Sequence, residues 1–498
     1  MIRSQEHSNR HLPGSERTLR GRATEAIMEI RFYNSLTRSE ELFEALEPDR
    51  VRIYSCGPTV YDHPHLGNWR ANIFVDLLKR YLLYRGYQVK HVMNITDVDD
   101  KTIRGAREAG VSLADYTEPF IEEFQQERDL LRISPADVYP RATAHIDGMV
   151  RLVEDLQARG LTYDAEGGVY YSVGRFPEYG TLSGIDISGL QAGARVDVDE
   201  YEKEEARDFV LWKARKPEDG EVHWDAPFGE GRPGWHLECS AMSAEYLGVP
   251  FDIHTGGIDL LFPHHENEIA QTWGATGERL ARFWMHNEHL IVDGRKMSKS
   301  LGNFITLQDL LDKGMDPVAI RYMLLGTHYR QLLNFRPDGL DGAAASVGRI
   351  REAARLWSER SDRAGAVEVL SDEAGEVASE AVAAFTRALD DDLNISEGLA
   401  AVFDMIRQGN ALLDKGLGAV GAAALKEAIE GFDTVLAVLE SGEGGEDDLP
   451  PDLMAMIMAR EEARSARDWI EADRIRDVLL EAGISIEDTP DGTRWKRT

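Results

Sequence analysis

Two cysteines make up the whole thiol inventory of this 498-residue chain, and both stand in polar company. Cys56 closes the run VRIYSC and is followed by Gly57, while Cys239 lies in PGWHLECSAMS. Some 25 residues further on comes PHHENE, with His264, His265, Glu266 and Glu268. His264 and Glu268 are four apart, so a helix would set them on one face. Cys56, Cys239, His264 and Glu268 could form a tetrahedral zinc site. Its ligands are scattered along the chain, so tertiary structure would have to assemble it. The competing reading is two buried structural cysteines and solvent-facing histidines.

A second group of residues suits phosphate chemistry. His65-Leu-Gly67-Asn68 follows a strand-like run and opens a helical pattern. Gly67 permits close approach of a ligand, and a helix N-terminus favours phosphate. His65 and Asn68 can donate hydrogen bonds to phosphate oxygens. Further along, KMSKS places Lys296 and Lys299 within four residues, in a chain with only 12 lysines against 44 arginines. Lysine is a compact point charge, and two ammoniums on a loop can stabilise charge building on a transferring phosphoryl group. HTGGID brings Gly256 and Gly257, which let backbone pack against adenine or ribose, and Asp259, which could hold ribose hydroxyls. There is no GxxxxGK[ST], so the P-loop reading fails.

The elements that must position these groups follow from pattern. Residues 51–56 and 88–95 read as strands, with an apolar-periodic helix from about 67 to 84 between them. Strand, loop, helix and strand in that order suggest the first half of a parallel nucleotide-binding sheet, an α/β class. Residues 112–160 are helical in pattern. Residues 161–210 turn richer in Gly, Tyr, Val and Asp, with short strand-like runs such as GGVYYSV. The second half of the core begins near DFVLWK and ends at 304. Beyond it, 369–411 and 419–440 look like long amphipathic helices. SGEGGEDDLP at 441–450 reads as a linker, 454–482 as helices, and DTPDGTRW as a compact end.

Composition bounds the class. Acidic residues number 88 against 56 basic, a formal charge of -32. Such a surface is soluble and self-repelling, fitting either an ordinary acidic cytosolic enzyme or adaptation to high salt. It argues against a nonspecific nucleic-acid coat but not against a local basic patch. Two cysteines exclude a disulfide-rich secreted fold. No run of 18 apolar residues appears, so nothing reads as a membrane span. Residues 1–27 lack an apolar segment and carry Glu6, Glu16 and Glu25, unlike a signal peptide. They are expected to be a disordered extension, or to precede the true start at Met28.

YSCGPTVYDHPHLGN, MNITDVDDKTI at 93–103, GRPGWHLECSAMS at 231–243, HTGGIDLLFPHHENEIAQ at 254–271 and KMSKSLGNF at 296–304 together resemble the cysteinyl-tRNA synthetases, class I aminoacyl-tRNA synthetases. LDDDLNISEGLA and REEARSARDWIEADRIRDVLLEAGISIEDTPDGTRW are similar to the family's helical anticodon-binding region. The match is collinear from about residue 29 to the C-terminus. It implies a Rossmann-like parallel-sheet catalytic domain in two halves, 28–111 and 211–304. A connective insertion for the tRNA acceptor end would occupy 112–210. A linking helical subdomain (305–368), a helical bundle (369–440) and a C-terminal anticodon-binding subdomain (441–498) would follow, as an all-α region.

The resemblance implies site residues too. The zinc ligands carry over onto Cys56, Cys239, His264 and Glu268, one ion per chain, and the HIGH-type residues onto His65 and Asn68, with Asn68 in place of the idealised histidine. The KMSKS lysines are Lys296 and Lys299, Trp235 matches a tryptophan lining the amino-acid pocket, Thr96 lies near that pocket, and Asp259 matches the acidic residue facing ribose. The implied reaction is activation of L-cysteine by ATP, with Mg2+, to cysteinyl-adenylate, and transfer to the terminal adenosine of cysteine tRNA. A monomer in the cytoplasm is implied as well. A zinc-bound substrate thiolate would exclude serine, whose neutral hydroxyl is a poor ligand, without a separate editing site. The rivals are a cysteine ligase acting on glucosamine-inositol, expected to be shorter and without the full tail, and an inactive RNA-binding paralogue, expected to have lost signature residues. Against a net charge of -32, the tRNA path must be a confined arginine-rich stripe.

Overall fold

The computed structural model describes residues 29–185, 195–196, 208–298, 301–363, 369–439, 451–465, 468–481, 484–489 and 492–497. The expected extension at 1–27, Lys299 and the expected linker at 441–450 lie outside them. A hairpin of β1 (Arg31–Asn34) and β2 (Ser39–Leu42) leads into β3 (Arg50–Ser55), α1 (Leu66–Tyr84) and β4 (Gln88–Met93). In α1, Leu66, Trp69, Ile73, Leu77 and Tyr81 recur at helical spacing and are buried. Gly86, at φ 90°, takes the left-handed turn that ends the helix.

α2 (Asp100–Ala109), α3 (Leu113–Leu130) and α4 (Ile146–Ala158) follow. The helical pattern expected over 112–160 is therefore broken at 131–145. Pro135 and Pro140 lack the N–H that a helix interior uses and disfavour a helix there. That stretch instead lies along β4: Met93 N–H donates to Val138 O (3.1 Å) and Ile95 N–H to Pro140 O (2.8 Å). Next come β5 (Thr162–Ala165), β6 (Gly168–Tyr171), β7 (Arg195–Val196), β8 (Asp208–Ala214) and β9 (Gly231–Pro233), one mainly antiparallel sheet. β8 runs across position 210 and pairs with β6 on one side and β9 on the other. The insertion's sheet is thus built partly from residues expected in the second core half, 211–304.

α5 (Trp235–Leu247), β10 (Phe251–Gly257), α6 (Glu266–Thr276) and β11 (Ala281–Asn287) complete the core. The central sheet is parallel, in the order β11-β10-β3-β4. Alternate residues of its strands face two cores. Ile53, Met93, Phe283 and Met285 pack with α1, while Tyr54, Val92 and Trp284 pack with α5 and α6. Helices on both faces of a parallel sheet are the doubly wound arrangement, whose ligands bind at the carboxyl ends of the strands.

β12 (Leu290–Val292) and β13 (Arg295–Lys296) lead to α7 (Leu307–Leu311), α8 (Pro317–Leu325) and β14 (Leu333–Phe335), which pairs with β12. The helical part comprises α9 (Gly339–Ser361), α10 (Ser371–Asp390), α11 (Ile395–Asp414) and α12 (Ala419–Leu436). The helix expected over 369–411 breaks at Asp391–Asn394, where Asp392 and Leu393 have φ of 52° and 56°. There Asp392 accepts from Tyr33 N–H (2.8 Å), Tyr329 O–H (2.5 Å) and Arg330 Nε (2.6 Å). Those tertiary bonds hold it out of the helix. α13 (Pro451–Ser465) and α14 (Trp469–Glu481) precede a hairpin, β15 (Ile484–Thr489) with β16 (Gly492–Arg497). The C-terminal region is therefore helical with a two-stranded end. No helix among the described residues is long and apolar enough to cross a membrane.

Candidate active site and metal centre

The carboxyl ends of the central strands carry nearly every residue of interest. Cys56 directly follows β3, and Asn94 and Thr96 follow β4. Gly256 and Gly257 end β10, with Asp259 exposed on the next turn. Cys239 and Trp235 come from α5, whose N-terminus faces the same end, and Glu268 from α6.

Cys56, Cys239, His264 and Glu268 each place a ligand atom within 4.8 Å of the others. Their spacing suits a tetrahedral ion. The two sulfurs are 3.8 Å apart, and Zn–S bonds at tetrahedral angles would put them about 3.8 Å apart. His264 Nε2 lies 3.1 Å from Glu268 Oε1, close to the roughly 3.3 Å expected of N and O ligands on one ion. Cys56, His254, His265 and Glu268 make a second such group, sharing two members with the first. The set with two sulfurs better matches a thiophilic ion such as zinc.

Side chains around these groups fix their orientation. His236 Nδ1 lies 2.9 Å from His264 Nδ1, which leaves His264 Nε2 toward Glu268. His254 Nε2 lies 2.8 Å from Glu268 Oε2, and His265 bridges Cys56 Sγ (3.3 Å) and His286 Nε2 (2.8 Å). Burial lowers the pKa of His264, His236 and His286 to about 3, so these imidazoles are neutral, as a metal ligand requires. Burial, the Cys239 partner and nearby carboxylates Glu268 and Asp259 push the Cys56 thiol well up. Cation binding opposes that rise, because the ligating form is the thiolate.

Trp235 stacks on His264, ring centroids 4.1 Å apart. Thr96 Oγ1 donates to buried Glu238 Oε2 (2.9 Å) and accepts from Asn94 Nδ2 (3.1 Å). Asn94 Oδ1 in turn accepts from Gly57 N–H (2.9 Å), which holds the chain just after Cys56. The glycines find neighbours within the chain itself. A Cβ on Gly256 would meet the His265 ring at 2.7 Å, and one on Gly257 would meet Asp259 Oδ1 at 2.5 Å. Gly256 makes room for His265.

His65, Gly67 and Asn68, the residues expected to suit phosphate, meet at the start of α1. His65 is its N-cap and forms a capping box: His65 Nδ1 accepts from Asn68 N–H (3.2 Å), and Asn68 Oδ1 accepts from His65 N–H (3.0 Å). His65 therefore keeps Nδ1 as an acceptor, so its neutral tautomer carries the hydrogen on Nε2. Asn68 is exposed, and its Nδ2 is left to donate. A Cβ on Gly67 would lie 2.9 Å from His65 Cε1. Exposed Lys296 sits on β13. The base of its loop docks on the same turn: Leu66 N–H donates to Ile305 O (3.0 Å), and Phe304 meets the His65 ring edge-on. Asn303 closes the loop by accepting from Ser298 N–H (2.9 Å) and donating to Lys296 O (3.1 Å).

Comparison with known proteins shows the family. A family model described as the class I (C) tRNA synthetase catalytic domain matches residues 42–345. The chain belongs to the cysteinyl-tRNA synthetase family. A DALR domain matches 384–440, and a cysteinyl-tRNA ligase anticodon-binding domain matches 446–495. The cysteine–tRNA ligase of Solibacter usitatus is 47% identical over 471 residues, covering 94% of this chain and all of that one. That of Chlamydia muridarum is 44% identical over 481 residues, with the same coverage. In fold, the chain is similar to Mycobacterium tuberculosis methionyl-tRNA synthetase (TM-score 0.55, 16% identity, 78% of this chain and 90% of that one). It is also similar to Agrobacterium radiobacter leucyl-tRNA synthetase (TM-score 0.59, 13% identity, 80% and 85%). His236, His254 and His286 were not expected at the site, and His265 was named without a role; only the structure brings these rings together.

Proposed function

We propose that this chain activates L-cysteine with ATP to cysteinyl-adenylate and transfers the cysteine to its cognate tRNA, releasing pyrophosphate and then AMP. The observation that carries this reading is a largely buried two-sulfur donor set at the end of β3, the strand that leads into a histidine-capped helix N-terminus. The cysteine carboxylate oxygen attacks the α-phosphate in line and pyrophosphate leaves. The protein's task is then positioning and charge stabilisation. His65 Nε2, Asn68 Nδ2 and the α1 N-terminus would hold the phosphates, and Lys296 and Lys299 would balance charge on the departing pyrophosphate. Mg2+ would accompany ATP. Asp259 would hold ribose, and Trp235 and Thr96 would bound the amino-acid pocket.

Cys56, Cys239, His264 and Glu268 would hold one Zn2+ per chain. Bound there, zinc would supply a thiol-selective Lewis acid, favouring a cysteine thiolate over the neutral hydroxyl of serine. A cytoplasmic monomer acting on cysteine tRNA completes the reading.

ATP–pyrophosphate exchange with cysteine, with serine as control, tests the first step. Exchange with neither amino acid would sink the reading. Charging of bulk tRNA, set against transfer to glucosamine-inositol, tests the acceptor.

A further inference from the structure

The last turn of α12 and the three residues after it are gripped by arginines from four other segments. Arg80 of α1 donates to Thr434 O (3.2 Å). Arg321 of α8 donates to Leu436 O (2.7 Å), and Arg351 of α9 to Val438 O (3.0 Å). Arg132, just after α3, donates to Leu439 O. A helix end needs far less. Ala437, in the left-handed conformation, already caps α12 through its N–H to Asp433 O (2.8 Å). Asp433 Oδ1 also takes the Val438 and Leu439 N–H groups (2.6 and 2.8 Å). The arginines therefore add charge-assisted bonds to a terminus that is already closed.

The grip is tied to the active-site helix. Asp76 of α1 holds Arg80 Nε (2.9 Å) and Arg321 Nη2 (2.6 Å), and Arg80 and Arg321 both also bind Arg132 O (2.9 and 3.3 Å). Asp76 lies eleven residues past His65 on one straight element, about 16 Å at the helical rise. On the far side, the chain leaves Leu439 for the segment matched by the anticodon-binding domain at 446–495.

We propose that Arg80, Arg132, Arg321 and Arg351 form a clamp that sets where the chain departs for the anticodon-binding domain. They are thereby positioning residues for transfer to tRNA and not for amino-acid activation. This rests on the reading that the chain charges a tRNA. Arg132 and Arg351 suit the test, because Arg80 and Arg321 belong to the buried Asp76 network. In the full-length chain, the double variant Arg132→Met/Arg351→Met should keep cysteine-dependent ATP–pyrophosphate exchange within about two-fold of wild type. Its KM for tRNA should rise about 5- to 10-fold with a smaller change in kcat. Arg132→Lys/Arg351→Lys, which keeps both donors, should recover most of that loss. Charging of tRNA at the wild-type kcat/KM by the methionine variant would overturn the clamp, as would exchange falling in parallel with charging. Wild type that exchanges with cysteine yet charges no tRNA would take down the underlying reading and the clamp together.

Discussion

At the scale of single residues, the metal group and the histidine cap make separable demands. Cys239 is buried and has no second thiol to replace it other than its partner Cys56. Cys239→Ser should drop bound zinc from about one ion per chain toward zero by elemental analysis, since a neutral hydroxyl is a poor ligand. The same variant should lose most of its preference for cysteine over serine in exchange assays. Gly67 is a different kind of constraint. A Cβ there would press on the His65 ring at 2.9 and 3.0 Å. Gly67→Ala should therefore cut the exchange rate by about 10²-fold, the cost of misplacing a positioning group by roughly an ångström. Its zinc content should stay at the wild-type level, because Gly67 touches none of the four donors.

At the scale of elements, two carboxylates on or against α1 have opposite pH signatures. Burial alone would raise the Asp76 carboxyl, but Arg321 and Arg80 outweigh it and hold it below its ordinary value. The folded state thus holds the charged form more firmly than the unfolded chain does. Its contribution is full above about pH 4 and is lost as the pH falls further. Removing the carboxylate in Asp76→Ala would strand the Arg321 guanidinium, which is fully buried. Urea unfolding should show a loss of about 3–5 kcal/mol. Glu127 of α3 behaves the other way. Burial, against the opposing bond from Trp69 Nε1 (2.7 Å), lifts its pKa to about 7, with Glu123 adding to the rise and His63 opposing it. The folded state keeps a proton that the unfolded chain releases near 4.5. Stability should therefore fall between about pH 4.5 and 7, by on the order of 2 kcal/mol. Glu127→Gln, which keeps an acceptor for Trp69, should flatten that decline in melts run across the same range.

At the scale of the whole molecule, a charge of -32 on 498 residues governs how the body meets its surroundings. Such a surface repels itself at low ionic strength and is screened as salt rises. If the composition is a salt adaptation, exchange activity should hold or rise toward about 1 M KCl, where the screening length is near 3 Å. An optimum confined to low salt would assign the acidity to ordinary solubility. Charging of tRNA should fall with salt more steeply than exchange does, because only charging needs phosphate contacts.

The chain's sequence alone determined which groups are on offer to a site. The thiols of Cys56 and Cys239 and the imidazole of His264 are legible because their types are rare and their chemistry narrow, and Glu268 through its four-residue spacing from His264. HLGN and KMSKS are legible because a helix cap and two neighbouring ammoniums are local devices. The parallel sheet could likewise be read from the strand–helix–strand order of residues 51 to 95. Tertiary structure decided which neighbours those groups meet. His236, His254 and His286 reach the Cys56, Cys239, His264 and Glu268 set directly or through His265 from separate elements, and no spacing along the chain encodes that approach. It also decided the breaks at 131–145 and 391–394. In the first, two prolines withhold the N–H groups a helix interior uses, and N–H groups of Met93 and Ile95 take the carbonyls of Val138 and Pro140 instead. In the second, Asp392 has more to gain from Tyr33, Tyr329 and Arg330 than from one more helical turn. Local pattern states what a segment prefers by itself, and partners distant in sequence supply the remaining free energy.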